Sequence, residues 1–169
     1  MIKNDEQYEY SQYWVKRFEE SIAACERDEE KKKNDPQGWE LNRGTLQHHL
    51  DTLKAEIVEY ETLTAHDYGS PIVLKLDDID YLPQILIKAR IAASLSQKEL
   101  GDLAGLTEEK VKEYEENDYQ TASFLDFLAV LNVLELKIKN CEFLAPLHTI
   151  RRTPITFEEL ASRKSLVPS

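Results

Sequence analysis

The chain has 169 residues, 41% of them apolar and 31% charged, with a formal net charge of −11. That is enough apolar material for one core, or for one domain with an extension. The sparse Gly and Pro, the abundance of Leu, Glu and Lys, and the lack of any apolar run long enough to span a bilayer exclude collagen-like, disulfide-scaffold and membrane-spanning classes. The acidic, polar start MIKNDEQYEY does not read as a signal peptide, and Cys25 and Cys141 are single and far apart, so a cytoplasmic protein with buried thiols is expected.

In chain order, Asp5 to about Lys33 reads as one long helix. Its apolar stripe is Tyr10, Trp14, Phe18, Ile22 and Cys25, and Lys31–Lys33 close it where cations suit the helix dipole. Asn34-Asp35-Pro36-Gln37-Gly38 breaks it, and Trp39 is expected to pack back on the helix pair. A second helix runs from about Arg43 to Ala65. Leu46, Leu50, Leu53, Ile57, Tyr60 and Leu63 or Thr64 form a near-heptad stripe. Two helices of similar length with a short connection predict an antiparallel hairpin, and the length of the stripe predicts burial against a second copy of the chain.

His48 and His49 are neighbours on that helix and diverge by about 100°, which does not suit one metal. His66 and His148 are isolated. No Ser/His/Asp or Cys/His arrangement, glycine-rich phosphate loop or zinc spacing is present, so no catalytic residue, metal site or cofactor is expected. Asp67–Ser70 is a turn, and Pro71–Leu76 is either a short strand or a linker lying on the core. Asp77, Asp78 and Asp80 then lead into a helix starting near Pro83, where they suit its N-terminus better than they suit calcium.

From Leu95 to Tyr114 the pattern is two short helices and a tight turn. Ser96 is an N-cap with Glu99 as its reciprocal partner, and Leu100, Leu103 and Ala104 share a face. Gly105 stands where a helix end takes positive φ. Thr107 caps the second helix, Glu108 and Glu109 fill its first turn, and Val111 and Tyr114 turn inward. Ser123 caps a further helix to Val133, with Asp126 in the reciprocal place. Its apolar residues lie on several sides, which suggests a partner or a covering element. Leu134–Lys139 alternates and reads as a short strand. The tail from Ala145 is mildly basic and Pro-interrupted, with a capping box at Thr156–Leu160. It reads either as a disordered end or as a segment that folds on a partner, with Phe157, Leu160, Leu166 and Val167 as its anchors.

The stretch from Gln97 to Glu115, Q-x-E-L-x-x-x-x-G-L-T-x-x-x-V-x-x-Y-E, resembles the helix-turn-helix of the lambda repressor/Cro-like (XRE) family. The likeness runs from about Leu82 to Ile138. Glu59-Tyr60-Glu61-Thr62-Leu63, followed after a loop by Leu82-Pro83-Gln84-Ile85-Leu86-Ile87-Lys88-Ala89-Arg90-Ile91, resembles antitoxin-like members that carry a helical extension before the motif. The resemblance implies an all-α fold: a coiled-coil-like hairpin (1–66), a linker (67–82), a five-helix helix-turn-helix domain (83–144) and a tail (145–169). It also implies a structural pair of Arg90 and Glu115, and a DNA-reading surface at Gln97, Lys98, Thr107, Glu108, Glu109, Lys110, Lys112 and Glu113. The implied function is a dimeric DNA-binding transcriptional regulator, an antitoxin or autorepressor that reads an operator.

Charge argues in a second direction. Residues 1–82 carry 19 carboxylates against 10 cations, 83–138 carry 10 against 6, and 139–169 carry 3 against 5. Glu108, Glu109 and Glu113 on one exposed face oppose the phosphate field, although a single Glu can accept from cytosine. The alternative is a protein-binding module that keeps the fold and uses its acidic face and tail against a toxin or other basic protein.

Overall fold

The structure, a computed structural model, describes residues 1–67 and 69–139. The expected tail, 145–169, lies outside them, as does the end of the expected 83–144 domain. The chain is all-α: among the described residues there are seven α-helices, one 3-10 turn and no strand. None of these helices is long and apolar enough to cross a membrane.

Helix α1 spans Asp5–Arg27, α2 Glu29–Asn34 and α3 Pro36–Thr64. The expected single helix to Lys33 is therefore divided. Asp28 leaves helical geometry at φ −82°, ψ 74°, and its carboxylate accepts from the Lys31 amide, so a side chain that competes for backbone donors restarts the helix. The expected break at Asn34–Gly38 is present but narrow: α2 ends at Asn34, Asp35 alone is non-helical, and Pro36–Gly38 already belong to α3. Asp35 accepts from the Gly38 amide, and Pro36 occupies the first turn, where no intrahelical donor is needed. Helix α3 thus begins well before Arg43.

Helices α1 and α3 pack antiparallel. Tyr8 bonds Glu61 at 2.6 Å, Phe18 stacks on His49 with centroids 5.7 Å apart, Lys54 pairs with Glu19, and Arg43 pairs with Glu26 at the far end. The Trp39 indole donates to the Cys25 carbonyl at 2.8 Å, with Lys32 over its ring. The α3 heptad faces α1 as expected. The α1 stripe holds in its second half only: Phe18, Ile22 and Cys25 line the seam as expected, preceded there by Tyr8, Ser11 and Val15, while Tyr10 and Trp14 stand outside it at 62% and 38% exposure. Small Ser11 sits in the seam, and bulky aromatics sit in water beside it.

Residues 71–76 form no strand. Ile72 and Leu74 lie on the core, so the linker reading holds. Asp78 caps a 3-10 turn, Ile79–Tyr81, which runs directly into α4, Leu82–Ala92. Helices α5 (Gln97–Ala104), α6 (Glu108–Glu116) and α7 (Phe124–Val133) follow. Among the described residues of the expected five-helix domain, 83–139, there are four α-helices, α4–α7. Leu134 and Glu135 form a turn, with Glu135 at φ 48°, in place of the expected strand. Leu103 is 62% exposed and does not join Leu100 in the core.

One core runs through the hairpin and the later helices. Ile2, Tyr60 and Leu63 cluster with Leu86, Ile87, Leu100, Val111, Tyr114, Tyr119 and Val130. The boundaries at 66 and 82 mark turns of the chain, while Met1–Leu136 form one compact unit. The Tyr60 hydroxyl donates to Asp5 at 2.8 Å. Burial first, and that bond second, push its phenol up to about 12.

A shared core predicts shared unfolding. Urea titration followed by tryptophan fluorescence, which reports the hairpin, and by far-UV circular dichroism should give one coincident transition. Ile2→Ala should lower stability by about 2–4 kcal/mol in both signals. Two separate transitions, or an Ile2→Ala effect under about 0.5 kcal/mol, would contradict the shared core.

Candidate nucleic-acid interface

The candidate surface is α6 and the turn that presents it. Ser96 and Glu99 form a full capping box: the Glu99 amide donates to the Ser96 hydroxyl at 3.1 Å, and the Ser96 amide donates to the Glu99 carboxylate at 2.8 Å. The Ser96 hydroxyl, which also donates to the carboxylate at 2.7 Å, and after it the Ser96 amide hold the Glu99 carboxyl below its ordinary range. Helix α5 ends at Gly105, φ 70°, a left-handed position that disfavours any residue with a Cβ. The Leu106 amide bonds back to the Gly101 carbonyl at 2.9 Å, and a Cβ on Gly101 would lie 3.0 Å from the Leu106 carbonyl oxygen. The chain therefore turns tightly against α5. Thr107 accepts from the Lys110 amide at 3.3 Å and starts α6.

Val111, Tyr114 and Glu115 are the buried side of α6, and the opposite side is open. Thr107, Glu109, Lys110, Lys112 and Glu113 are exposed, and Glu108 is half-buried. Lys98 is exposed at the head of α5, beside half-buried Gln97. All eight residues expected at the reading surface thus belong to α5, α6 or the turn between them.

Their electrostatics are mostly closed within the chain. Lys112 pairs with Glu108 at 2.6 Å, and this bond holds its ammonium above the ordinary lysine range. Lys110 pairs with Asp126 of α7 at 3.0 Å and lies over the Tyr114 ring. Asp126 raises its pKa first and Tyr114 second. Asp126 also accepts from the Tyr114 hydroxyl at 2.7 Å, and its carboxyl is held below the usual range by Tyr114 first and Lys110 next. The expected cap at Ser123 is made, since the Asp126 amide donates to it at 3.1 Å, but the Asp126 carboxylate also serves α6. The Gln97 amide donates to Glu115 at 2.7 Å and faces inward. Lys98 makes no ion pair among the described residues, and neither does Glu109.

Glu115 is 1% exposed and Arg90 6%. Arg90 Nε and Nη2 reach the two Glu115 oxygens at 2.5 and 2.8 Å, Nη1 donates to the Leu95 carbonyl at 2.8 Å, and Nη2 also donates to the Lys3 carbonyl at 2.7 Å. The expected pair is present, and it also ties in the N-terminal segment, which sequence reasoning missed. The Lys3 ammonium donates to the Glu115 carbonyl at 2.5 Å, the Glu116 carbonyl at 3.1 Å and Asp118 at 2.9 Å. Its three protons meet three acceptors at the negative end of the α6 dipole. No local signal marks a cap that comes from 112 residues away. Just beyond, Asp118 and Tyr119 take positive φ, 51° and 58°, and Tyr119 is 5% exposed among Tyr114 and Phe127. Burial pushes its phenol well above the ordinary range.

Compared with protein-family models, curated proteins and solved structures, the chain matches none of them.

Removing one partner of the buried pair strands a charge. Arg90→Ala should cost about 3–5 kcal/mol in urea denaturation, and Arg90→Met/Glu115→Leu should recover most of that loss. A single-variant loss below about 1 kcal/mol would show that Glu115 does not depend on Arg90.

Proposed function

We propose that this chain is a DNA-binding transcriptional regulator of the lambda repressor/Cro-like helix-turn-helix type, an antitoxin or autorepressor in which α6 is the reading helix. One observation carries the reading. Helix α6 keeps its outer side open while Thr107 caps its start and other parts of the chain hold its inner side and its C-terminal end. A helix held that rigidly, with Thr107, Glu109, Lys110, Lys112 and Glu113 presented together, has the form needed to enter a major groove. In this reading α4–α7 correspond to the lambda-repressor-like domain, and the hairpin α1–α3 is its helical extension.

The charges define what such binding would be like. Lys98 is available for a phosphate contact, whereas Lys110 and Lys112 must leave Asp126 and Glu108 to make one. Few phosphate contacts mean modest affinity, with selectivity resting on base edges. Glu109 or Glu113 would accept from cytosine N4. The pairing of both α6 lysines with carboxylates also favours a second reading, in which the acidic outer side of α6 binds a basic protein, such as a toxin, in place of DNA.

The test is anisotropy of a fluorescent duplex from the region upstream of the chain's own gene, against a scrambled duplex. Binding should prefer the upstream duplex, weaken about tenfold between 50 and 200 mM salt for each two phosphates contacted, and be lost in Lys98→Glu/Lys112→Glu. Equal affinity for the two duplexes at low salt would contradict the regulator reading and leave the protein-binding one.

A further inference from the structure

The outer side of α1 carries a pattern that the fold does not use. Glu6, Tyr10, Tyr13, Arg17 and Glu20 recur at spacings of four and three, so they form a second stripe, away from the seam with α3. All five are exposed, Tyr10 at 62% and Tyr13 at 55%. Trp14 flanks them at 38%, its ring edge-on to both tyrosines with centroids 6.0 and 5.8 Å away. Three aromatics within five residues of an otherwise polar helix surface form a cluster of the residue types that anchor interfaces.

We propose that this stripe is a homodimer interface, in which α1 packs antiparallel against α1 of a second copy. The order of charges selects that occupant and that direction. In an antiparallel pair, the four-three stripe brings Tyr10 opposite Tyr13 of the other copy and Glu6 opposite its Arg17. The two-fold axis repeats each contact, giving two tyrosine pairs and two ion pairs. A parallel pair would set Glu6, Arg17 and Glu20 each against its own like charge. Arg17 is free to exchange partners, because its present bond to Glu20 is an exposed i,i+3 pair of little strength. One helix face of this length is at the small end of specific interfaces, so dissociation in the micromolar range is expected. The interface is inferred from α1 alone and measured without DNA, so its failure is distinguishable from failure of the regulator reading.

Sedimentation velocity of the full chain from about 2 to 200 μM tests it, with circular dichroism to verify that each variant keeps its helix content. The wild type should pass from monomer to dimer over this range. Glu6→Arg and Tyr10→Ser/Tyr13→Ser should each raise the dissociation constant about tenfold or more, and Glu6→Arg/Arg17→Glu should restore association. A wild type that stays monomeric, whether or not another protein takes the stripe, would overturn the proposal. So would a dimer indifferent to these variants, or a charge swap that fails to restore it.

Discussion

The carboxylate of Glu115 is the constraint on which the rest of the structure depends. A charge at 1% exposure is tolerable only if it is fully paired, and here it receives two bonds from Arg90 and one from Gln97. Each donor comes from a different part of the chain, α4 and the head of α5, while the residue itself closes the inner side of α6. Satisfying one buried anion therefore sets the relative placement of three helices. Of the three N–H donors that Arg90 then has left, two tie down the Leu95 carbonyl before α5 and the Lys3 carbonyl before α1. The extended start of the chain becomes part of the core, with Ile2 buried and the Lys3 ammonium over the end of α6.

What this arrangement does to α6 bears on function. Its first turn is capped by Thr107, its inner side is packed, and its last carbonyls are held by a cation from the opposite end of the chain. A reading helix prepared in this way would spend little of its binding energy on ordering itself. The same design leaves it electrostatically closed: Lys110 and Lys112 are neutralised by Asp126 and Glu108, and Lys98 is the cation left unpaired among the described residues of that surface. Pre-organisation favours recognition, and the carboxylates limit how strongly any polyanion is held. The two functional readings differ in which of these properties dominates.

Much of this was legible in the sequence where the physics is local. The capping box at Ser96, the left-handed Gly105, the Thr107 cap and the α3 heptad each follow from a few adjacent residues. The Arg90–Glu115 pair followed from the XRE resemblance. Two kinds of feature escaped. One is a competition between neighbouring patterns. In α1 the aromatic residues Tyr10 and Trp14 are far bulkier than Ser11 and Val15, yet the seam takes the smaller residues and leaves the rings outside. Likewise Asp35-Pro36 reads as a helix stop, and it is also a helix start: Asp35 ends α2 and caps α3. The other kind is long-range: nothing near Lys3 or Ile2 says that they will meet α6 and α4, and nothing near Asp126 says that its carboxylate will take Lys110 and the Tyr114 hydroxyl while its amide serves the Ser123 cap.

The most direct test of the account is native-state hydrogen exchange on the Lys3→Met variant, which keeps the length of the side chain and removes its charge. If the hub around Glu115 joins the chain's start to α6, amides of its last turn and of Asn117–Tyr119 should lose protection about tenfold or more, while those in the middle of α1 and α3 keep theirs. Unchanged protection at the end of α6 would mean that the N-terminal segment merely rests on that helix and does not hold it.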